Sequence, residues 1–137
     1  MPQGWAIMAI VIALEAAVIS NRLNGTWFSL RTSRVVALAN VVSGAVGILA
    51  SLAFTGGWWL VVWIPWVGKN EVDLNQDIKL LVGYYAIAFV LSIVIEGGLE
   101  HLLLRKHHEG LQIWKACLFG NLVTYLFITI AIYSYSF

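Results

Sequence analysis

Charged side chains are scarce in this chain of 137 residues. Only 11% of the residues are Asp, Glu, Lys or Arg and 61% are hydrophobic, whereas soluble domains average about 25% charged and about 45–50% apolar residues. This composition excludes an ordinary soluble domain and indicates a membrane protein. The net charge of +1 also lacks the excess of basic residues that a nucleic-acid-binding face needs, so we expect no nucleic-acid partner.

Cysteine and recognisable catalytic motifs are nearly absent as well. Cys117 is the single cysteine, which rules out an intrachain disulfide, and its apolar surroundings indicate a small buried hydrophobe. The sequence has no Gly-x-Ser-x-Gly elbow, no His-Glu-x-x-His pair and no phosphate-binding loop, so we expect a protein that is not an enzyme. The first residues lack the positive charge of a secretion signal, and we expect the first apolar segment to be retained.

Four long apolar runs are present instead, as expected for membrane-spanning helices of about 20 residues each. We predict an all-α integral membrane protein whose four transmembrane helices cover roughly 5–20, 35–54, 80–104 and 116–133. Lysine and arginine concentrate in the connections 21–34 and 105–115. Positively charged connections stay in the cytoplasm, so we place these two inside and both chain termini outside.

The chain resembles itself when it is shifted by 81 positions. This shift aligns three pairs of polar residues: Glu15 with Glu96, Asn40 with Asn121, and Ser43 with Thr124. Such internal similarity indicates two copies of one structural unit. We therefore predict a single membrane domain made of two tandem helical hairpins, 1–54 and 80–137, related by a pseudo-two-fold axis along the membrane normal.

Each hairpin carries an acid inside an apolar run, where an ionisable group is costly unless a neighbour satisfies it. A rise of about 1.5 Å per residue places the acid and the asparagine of each hairpin at a similar depth below the basic connection. An asparagine amide offers two donors to a carboxylate, and a hydroxyl offers another. The predicted buried polar site comprises Glu15, Asn40, Ser43, Glu96, Asn121 and Thr124.

Three interpretations of this buried polar site remain open at the level of sequence. It can be a clasp that fixes which helices touch, with one or both carboxyl groups protonated. It can be a proton or cation path in a small oligomeric transporter or channel that uses Glu15 and Glu96. It can also face a second subunit that carries a basic residue or a cofactor.

Histidines follow the second acid along the chain. Carboxylate and imidazole groups are metal ligands, and the candidates here are Glu100, His101 and His107. Their spacing matches no strong ligand motif, such as the Glu-x-x-His pairs of di-iron bundles, so we predict neither a metal site nor a cofactor. A haem, a pigment or a bound lipid stays open as an alternative, with the chain as a subunit of an electron-transfer complex.

Small residues and tryptophans mark two further surfaces. One face of the second helix has a small residue at every fourth position, which predicts close helix packing: Ala39, Ser43, Gly47 and Ser51. The segment 55–79 between the hairpins is rich in tryptophan, which prefers the level of the lipid headgroups. We predict an outer interfacial anchor at Trp58, Trp59, Trp63 and Trp66. We expect both surfaces to face partners or lipid.

Three short motifs resemble a known family. The first helix contains Ala-Leu-Glu-Ala at 13–16, the second contains Asn-x-x-Ser from Asn40, and the fourth contains Asn-x-x-Thr-Tyr from Asn121. This pattern resembles the cyanobacterial filament-integrity membrane proteins of the FraC type. The resemblance implies a non-catalytic protein that helps to build or stabilise a membrane assembly at cell junctions.

The function that we expect from the sequence is that of a small non-catalytic subunit, or an assembly or stabilising factor, of a larger membrane protein complex. The expected partners are the lipid bilayer and other integral membrane subunits, with a homo-oligomer as an alternative. The expected location is the plasma membrane or an internal membrane of a prokaryote.

Overall fold

Four α-helices account for most of the residues that the structure, a computed structural model, describes, which are 2–55 and 74–135. They are α1 (Pro2–Asn24), α2 (Leu30–Thr55), α3 (Leu74–Leu104) and α4 (Gly110–Tyr135). Each contains a segment that is long and apolar enough to cross a membrane. The prediction of an all-α protein with four helices able to span a membrane is confirmed.

The helices form a ring in which each helix packs against two others. α1 contacts α2 and α4, and α3 also contacts α2 and α4. The connections 25–29 and 105–109 lie at the same end of this bundle, because Arg31 Nη1 of α2 is 2.7 Å from His107 Nε2. The Arg22 guanidinium lies 4.0 Å from the centre of the Phe119 ring, which joins α1 to α4. We call this the basic end of the bundle.

The connections at the basic end are shorter than predicted. The predicted connections 21–34 and 105–115 are wrong in extent, and the observed ones cover only 25–29 and 105–109. Four basic residues of the predicted connections lie within the helices: Arg22, Arg31, Arg34 and Lys115. A basic residue does not end a membrane helix, because its long side chain reaches water while its backbone stays helical.

A glycine ends α1. Gly25 has a φ of 68°, a left-handed conformation that glycine adopts without steric penalty, and its N–H donates to the Asn21 carbonyl over 2.9 Å. The Asn24 side chain then donates to Thr32 Oγ1 over 2.9 Å. The end of α1 is therefore tied to the start of α2.

The small-residue face of α2 is turned into the bundle. Ala39 and Ser43 are buried, and the Ser43 hydroxyl donates to Ser92 Oγ of α3 over 3.4 Å. Gly47 lines a small cavity between α2 and α3. The expectation that this face meets a partner or lipid is wrong for Ala39 and Ser43, because α3 covers them. Ser51 belongs to α2, and its side chain is not among those described.

The predicted Trp-rich segment 55–79 falls mainly on residues that the structure does not describe. Thr55 belongs to α2, and 74–79 belong to α3, which begins earlier than predicted. The four anchor residues lie outside the described residues: Trp58, Trp59, Trp63 and Trp66. Their role as an interfacial anchor stays a prediction.

The helices α3 and α4 approach closely at a glycine. A β-carbon built on Gly97 would overlap Cζ3 of the Trp114 ring. A β-carbon on the next residue, Gly98, would meet nothing within 4 Å. Gly97 therefore makes room for the Trp114 indole, whereas Gly98 does not serve packing.

Replacement of these two glycines gives a matched test of the packing. Gly97→Ala and Gly98→Ala gain the same helix propensity, but only the first forces the Trp114 ring to move. We expect Gly97→Ala to be less stable than Gly98→Ala by about 1–2 kcal/mol, the usual penalty for overpacking. Thermal unfolding of both variants in the same detergent measures this difference. Equal midpoints would contradict the packing of Trp114 on Gly97.

Candidate functional site

One polar residue from each helix meets in the middle of the bundle. We call this group the carboxyl–amide cluster: Glu15 of α1, Asn40 of α2, Glu96 of α3 and Asn121 of α4. The side chains of Glu15, Glu96 and Asn121 are 1–3% exposed. Polar groups at this depth have no water to bind and must bind one another.

The Asn121 amide nitrogen is the centre of the carboxyl–amide cluster. Its Nδ2 atom lies 3.0 Å from Glu15 Oε1 and 2.8 Å from Glu96 Oε2. A primary amide nitrogen carries two hydrogens, so both are used. Longer contacts of the same atom to the Cys117 carbonyl at 3.3 Å and thiol at 3.6 Å are secondary. One nitrogen thus joins α4 to both α1 and α3.

The second amide completes the shell around Glu15. Asn40 Nδ2 donates to Glu15 Oε2 over 3.1 Å and to the Val36 carbonyl over 3.1 Å. Both oxygens of Glu15 therefore accept a hydrogen bond from an amide, one from each flanking helix. The Glu15 and Glu96 carboxyl groups are neighbours, because the same Asn121 nitrogen donates to both.

The two predicted hydroxyl residues take different places. Ser43 lies about one helical turn from Asn40 on α2, and its hydroxyl donates to Ser92 Oγ of α3 over 3.4 Å. Thr124 donates instead to backbone carbonyls of its own helix, those of Gly120 at 3.2 Å and Asn121 at 3.0 Å. Ser43 therefore lies beside the carboxyl–amide cluster and bonds α3, whereas Thr124 bonds its own helix.

A third acid lies one turn from Glu96 on α3. The Glu100 side chain has no exposed surface, and neither of its oxygens has a hydrogen-bond partner in the described part of the chain. The Cys117 thiol, a weak donor, lies beside it. Glu96 and Glu100 share one face of α3, because they are four residues apart. The side chains that donate to Glu15 and Glu96 among the described residues are the amides of Asn40 and Asn121.

A layer of aliphatic side chains separates the three acids from the basic end. Each helix contributes one fully buried residue to it: Ile19, Val36, Leu104 and Ile113. Each lies one helical turn closer to the basic end than a polar residue of the same helix, namely Glu15, Asn40, Glu100 and Cys117. Ile19 and Val36 pack with Ala16 and Ala116 in one apolar cluster, and such packing excludes water. Apolar side chains therefore lie between the acids and the basic end.

Hydroxyl groups continue from the carboxyl–amide cluster in the opposite direction. Ser43 and Ser92 are bonded to each other, and Ser92 Oγ lies 3.2 Å from the Tyr125 hydroxyl. Further along, the Tyr85 hydroxyl donates to the Tyr125 carbonyl over 2.9 Å and lies 3.1 Å from Oγ1 of the exposed Thr129. We call this the hydroxyl file. Ser43 and Ser92 also line the cavity between α2 and α3, whose volume of about 40 Å³ is enough for water.

The three candidate metal ligands are not brought together. Glu100 is buried in the bundle. The His101 ring packs against Gly110 at the start of α4, and His107 contacts Arg31 at the basic end. In 2–55 and 74–135, no group of three or more His, Cys, Asp and Glu residues is placed to hold a metal ion.

Two helical stripes would have revealed the residues that the sequence prediction missed. Ser92, Glu96 and Glu100 follow one another at intervals of four on α3. Cys117, Asn121, Tyr125 and Thr129 do the same on α4. Residues four apart share a helix face. Extension of the two stripes from Glu96 and Asn121 therefore identifies the hydroxyl file, and it groups Glu100 with the other buried acids rather than with metal ligands.

Comparisons of the chain with protein-family models, with curated proteins and with solved structures found no match. The fold and the site define a four-helix protein of membrane-spanning length with three buried acids at its centre.

Removal of each amide tests the asymmetry of the carboxyl–amide cluster. Asn121→Leu deletes hydrogen bonds to two acids, whereas Asn40→Leu deletes a bond to one, and leucine has a similar volume. At about 0.6–1.7 kcal/mol per hydrogen bond between membrane helices, we expect Asn121→Leu to lower stability about twice as much as Asn40→Leu. Unfolding of both variants in one detergent measures the ratio. A larger loss for Asn40→Leu would contradict the bridging position of Asn121.

Proposed function

We propose that this chain is a small non-catalytic integral membrane protein that serves as a subunit, or as an assembly or stabilising factor, of a larger membrane complex. The observation that carries this proposal is that polar side chains of different helices bond one another within the chain. The amides of Asn121 and Asn40 donate to acids of neighbouring helices. The polar groups fix the bundle, and the outer surface remains for partners. The motif resemblance to the FraC type supports the same role.

The outer surface offers apolar contacts rather than a reaction centre. Leu49 is 67% exposed, Leu126 is 62% exposed and Val90 is 57% exposed. Lipid solvates such side chains in a membrane. A helix of another membrane protein can take the place of this lipid, because packing rather than the hydrophobic effect drives helix association in membranes. The small cavity between α2 and α3 admits water but not an organic substrate. These features favour a protein that presents surfaces within the membrane.

The tandem-hairpin architecture is part of this proposal. Asn40 binds Glu15 and Asn121 binds Glu96, and in both pairs the partners are 25 residues apart. Equal separations within two hairpins support a duplicated unit with a pseudo-two-fold axis along the membrane normal. In this arrangement each unit supplies one acid and one amide, and Asn121 adds the bond that joins the units.

We also propose that the basic end faces the cytoplasm and that both termini face outward. The basic residues at that end support this orientation through the positive-inside rule: Arg22, Arg31, Arg34, Arg105, Lys106 and Lys115.

Cysteine labelling tests the orientation. In a Cys117→Ala background, we expect Lys106→Cys to react with a membrane-impermeant maleimide only after the cells are permeabilised, and Ser136→Cys to react in intact cells. The two positions serve as controls for each other. The reverse pattern would contradict the assignment of the cytoplasmic side.

Purification of the full chain from its own membranes tests the subunit role. In a mild detergent, we expect the chain to elute with larger integral membrane proteins at a fixed ratio. Glu96→Gln retains a carbonyl oxygen for the Asn121 amide and should keep this ratio, whereas Asn121→Leu loosens the bundle and should lower it. Mass measurement of the intact assembly gives the ratio. A particle that contains only this chain, as a monomer or homo-oligomer, would contradict the subunit role.

A further inference from the structure

The charge balance of the buried acids requires a bound ligand. Glu15, Glu96 and Glu100 are all buried, and the side chains that donate to Glu15 and Glu96 in the described part of the chain are amides rather than basic groups. The neutral polar groups around them are Asn40 and Ser43 on α2 and Cys117 and Asn121 on α4. Three negative charges at this depth would be very unfavourable without a compensating cation.

Glu100 shows which ligand compensates the charge. Its side chain is fully buried and both its oxygens lack hydrogen-bond partners in the described part of the chain. A carboxylate in that position would leave a desolvated charge, whereas a protonated carboxyl group is neutral. The described residues are not arranged to hold a metal ion. A proton needs no coordination shell, so it is the cation that fits.

The two sides of this site differ among the described residues. Toward the basic end lie the buried aliphatic side chains of Ile19, Val36, Leu104 and Ile113. The hydroxyl file leads the other way, because Ser92, one helical turn from Glu96 on α3, bonds Ser43 and Tyr125. Beyond Tyr125, Tyr85 and the exposed Thr129 carry polar groups toward the surface.

We propose that Glu15, Glu96 and Glu100 form a buried proton-binding site that exchanges protons through the hydroxyl file with the side of the membrane opposite the basic end. In each step between Tyr125, Ser92 and Ser43, a hydroxyl group accepts a proton from the previous group and donates its own to the next. Tyr85 and Thr129 bond the Tyr125 carbonyl and take no part in these transfers. The last proton binds to a carboxylate oxygen of Glu96. No bond other than O–H bonds forms or breaks, and no co-reactant is needed. The site operates whether the chain works alone or within a complex.

Infrared spectroscopy of the full chain in liposomes tests this proposal. Protonated carboxyl groups give a carbonyl band, and this band shifts when deuterium from D₂O replaces the proton. We expect such a band in the natural protein, with a lower amplitude in Glu100→Gln. We expect the shift to slow by about a hundredfold in Ser92→Ala and in Tyr125→Phe, the low end of the rate factors that a positioned proton-transfer group contributes.

Thr124→Val is the matched control, because Thr124 is a buried hydroxyl that donates to backbone carbonyls of its own helix. Its exchange rate should equal that of the natural protein. Tyr125→Phe keeps the ring and its packing on Phe89, at 4.9 Å between ring centres, so it remains informative if Ser92→Ala does not fold. Helix content by circular dichroism checks each variant.

Two results would overturn the proposal. One is a natural protein with the same carboxyl band as Glu100→Gln, since the buried acids would then carry no proton at Glu100. The other is an unchanged exchange rate in Tyr125→Phe, because protons would then reach the acids by another route.

Discussion

The fold depends on one nitrogen atom that donates to two buried acids. Asn121 Nδ2 binds Glu15 and Glu96 at once, and these acids belong to helices that each contact α4. In a membrane the exclusion of water from apolar side chains does not bring helices together, because lipid tails are as apolar as leucine. Specific polar contacts therefore decide which helices are neighbours. This amide joins three of the four helices, α1, α3 and α4.

The layers of the bundle follow from that contact. Toward the basic end, four aliphatic residues fill the space between the helices and exclude water. In the opposite direction, serine and tyrosine hydroxyls occupy the corresponding positions. The acids thus lie at a boundary between an apolar layer and a polar one. A clasp alone would not need this asymmetry, nor would it need Glu100, whose buried oxygens have no partner among the described residues.

Much of the fold could be predicted from the sequence, because long apolar runs determine helices in a membrane composition. The helix ends were predicted less well. Arg22 and Lys115 were expected to lie in connections, but the flexible side chains of such residues allow the helix to continue to the membrane surface. Gly25, with its left-handed backbone, ends α1 instead. The small residues at every fourth position of α2 identified a face that packs closely. This pattern does not determine whether lipid or another helix of the same chain covers that face.

The candidate site could be predicted within each hairpin but not between hairpins. Depth along two antiparallel helices is enough to pair Glu15 with Asn40, since both positions are counted from the same connection. The bond from Asn121 to Glu15 spans 106 residues and depends on the relative rotation of the two hairpins, which hydropathy does not encode. The same limit hid the hydroxyl file, whose members come from α2, α3 and α4.

Solid-state NMR in lipid bilayers tests the central contact directly, with ¹⁵N in the Asn121 side chain and ¹³C in the glutamate carboxyl groups. The account predicts dipolar contacts from this one nitrogen to the carboxyl carbons of both Glu15 and Glu96. A contact to Glu96 alone would contradict it, because the two hairpins would then not share the amide.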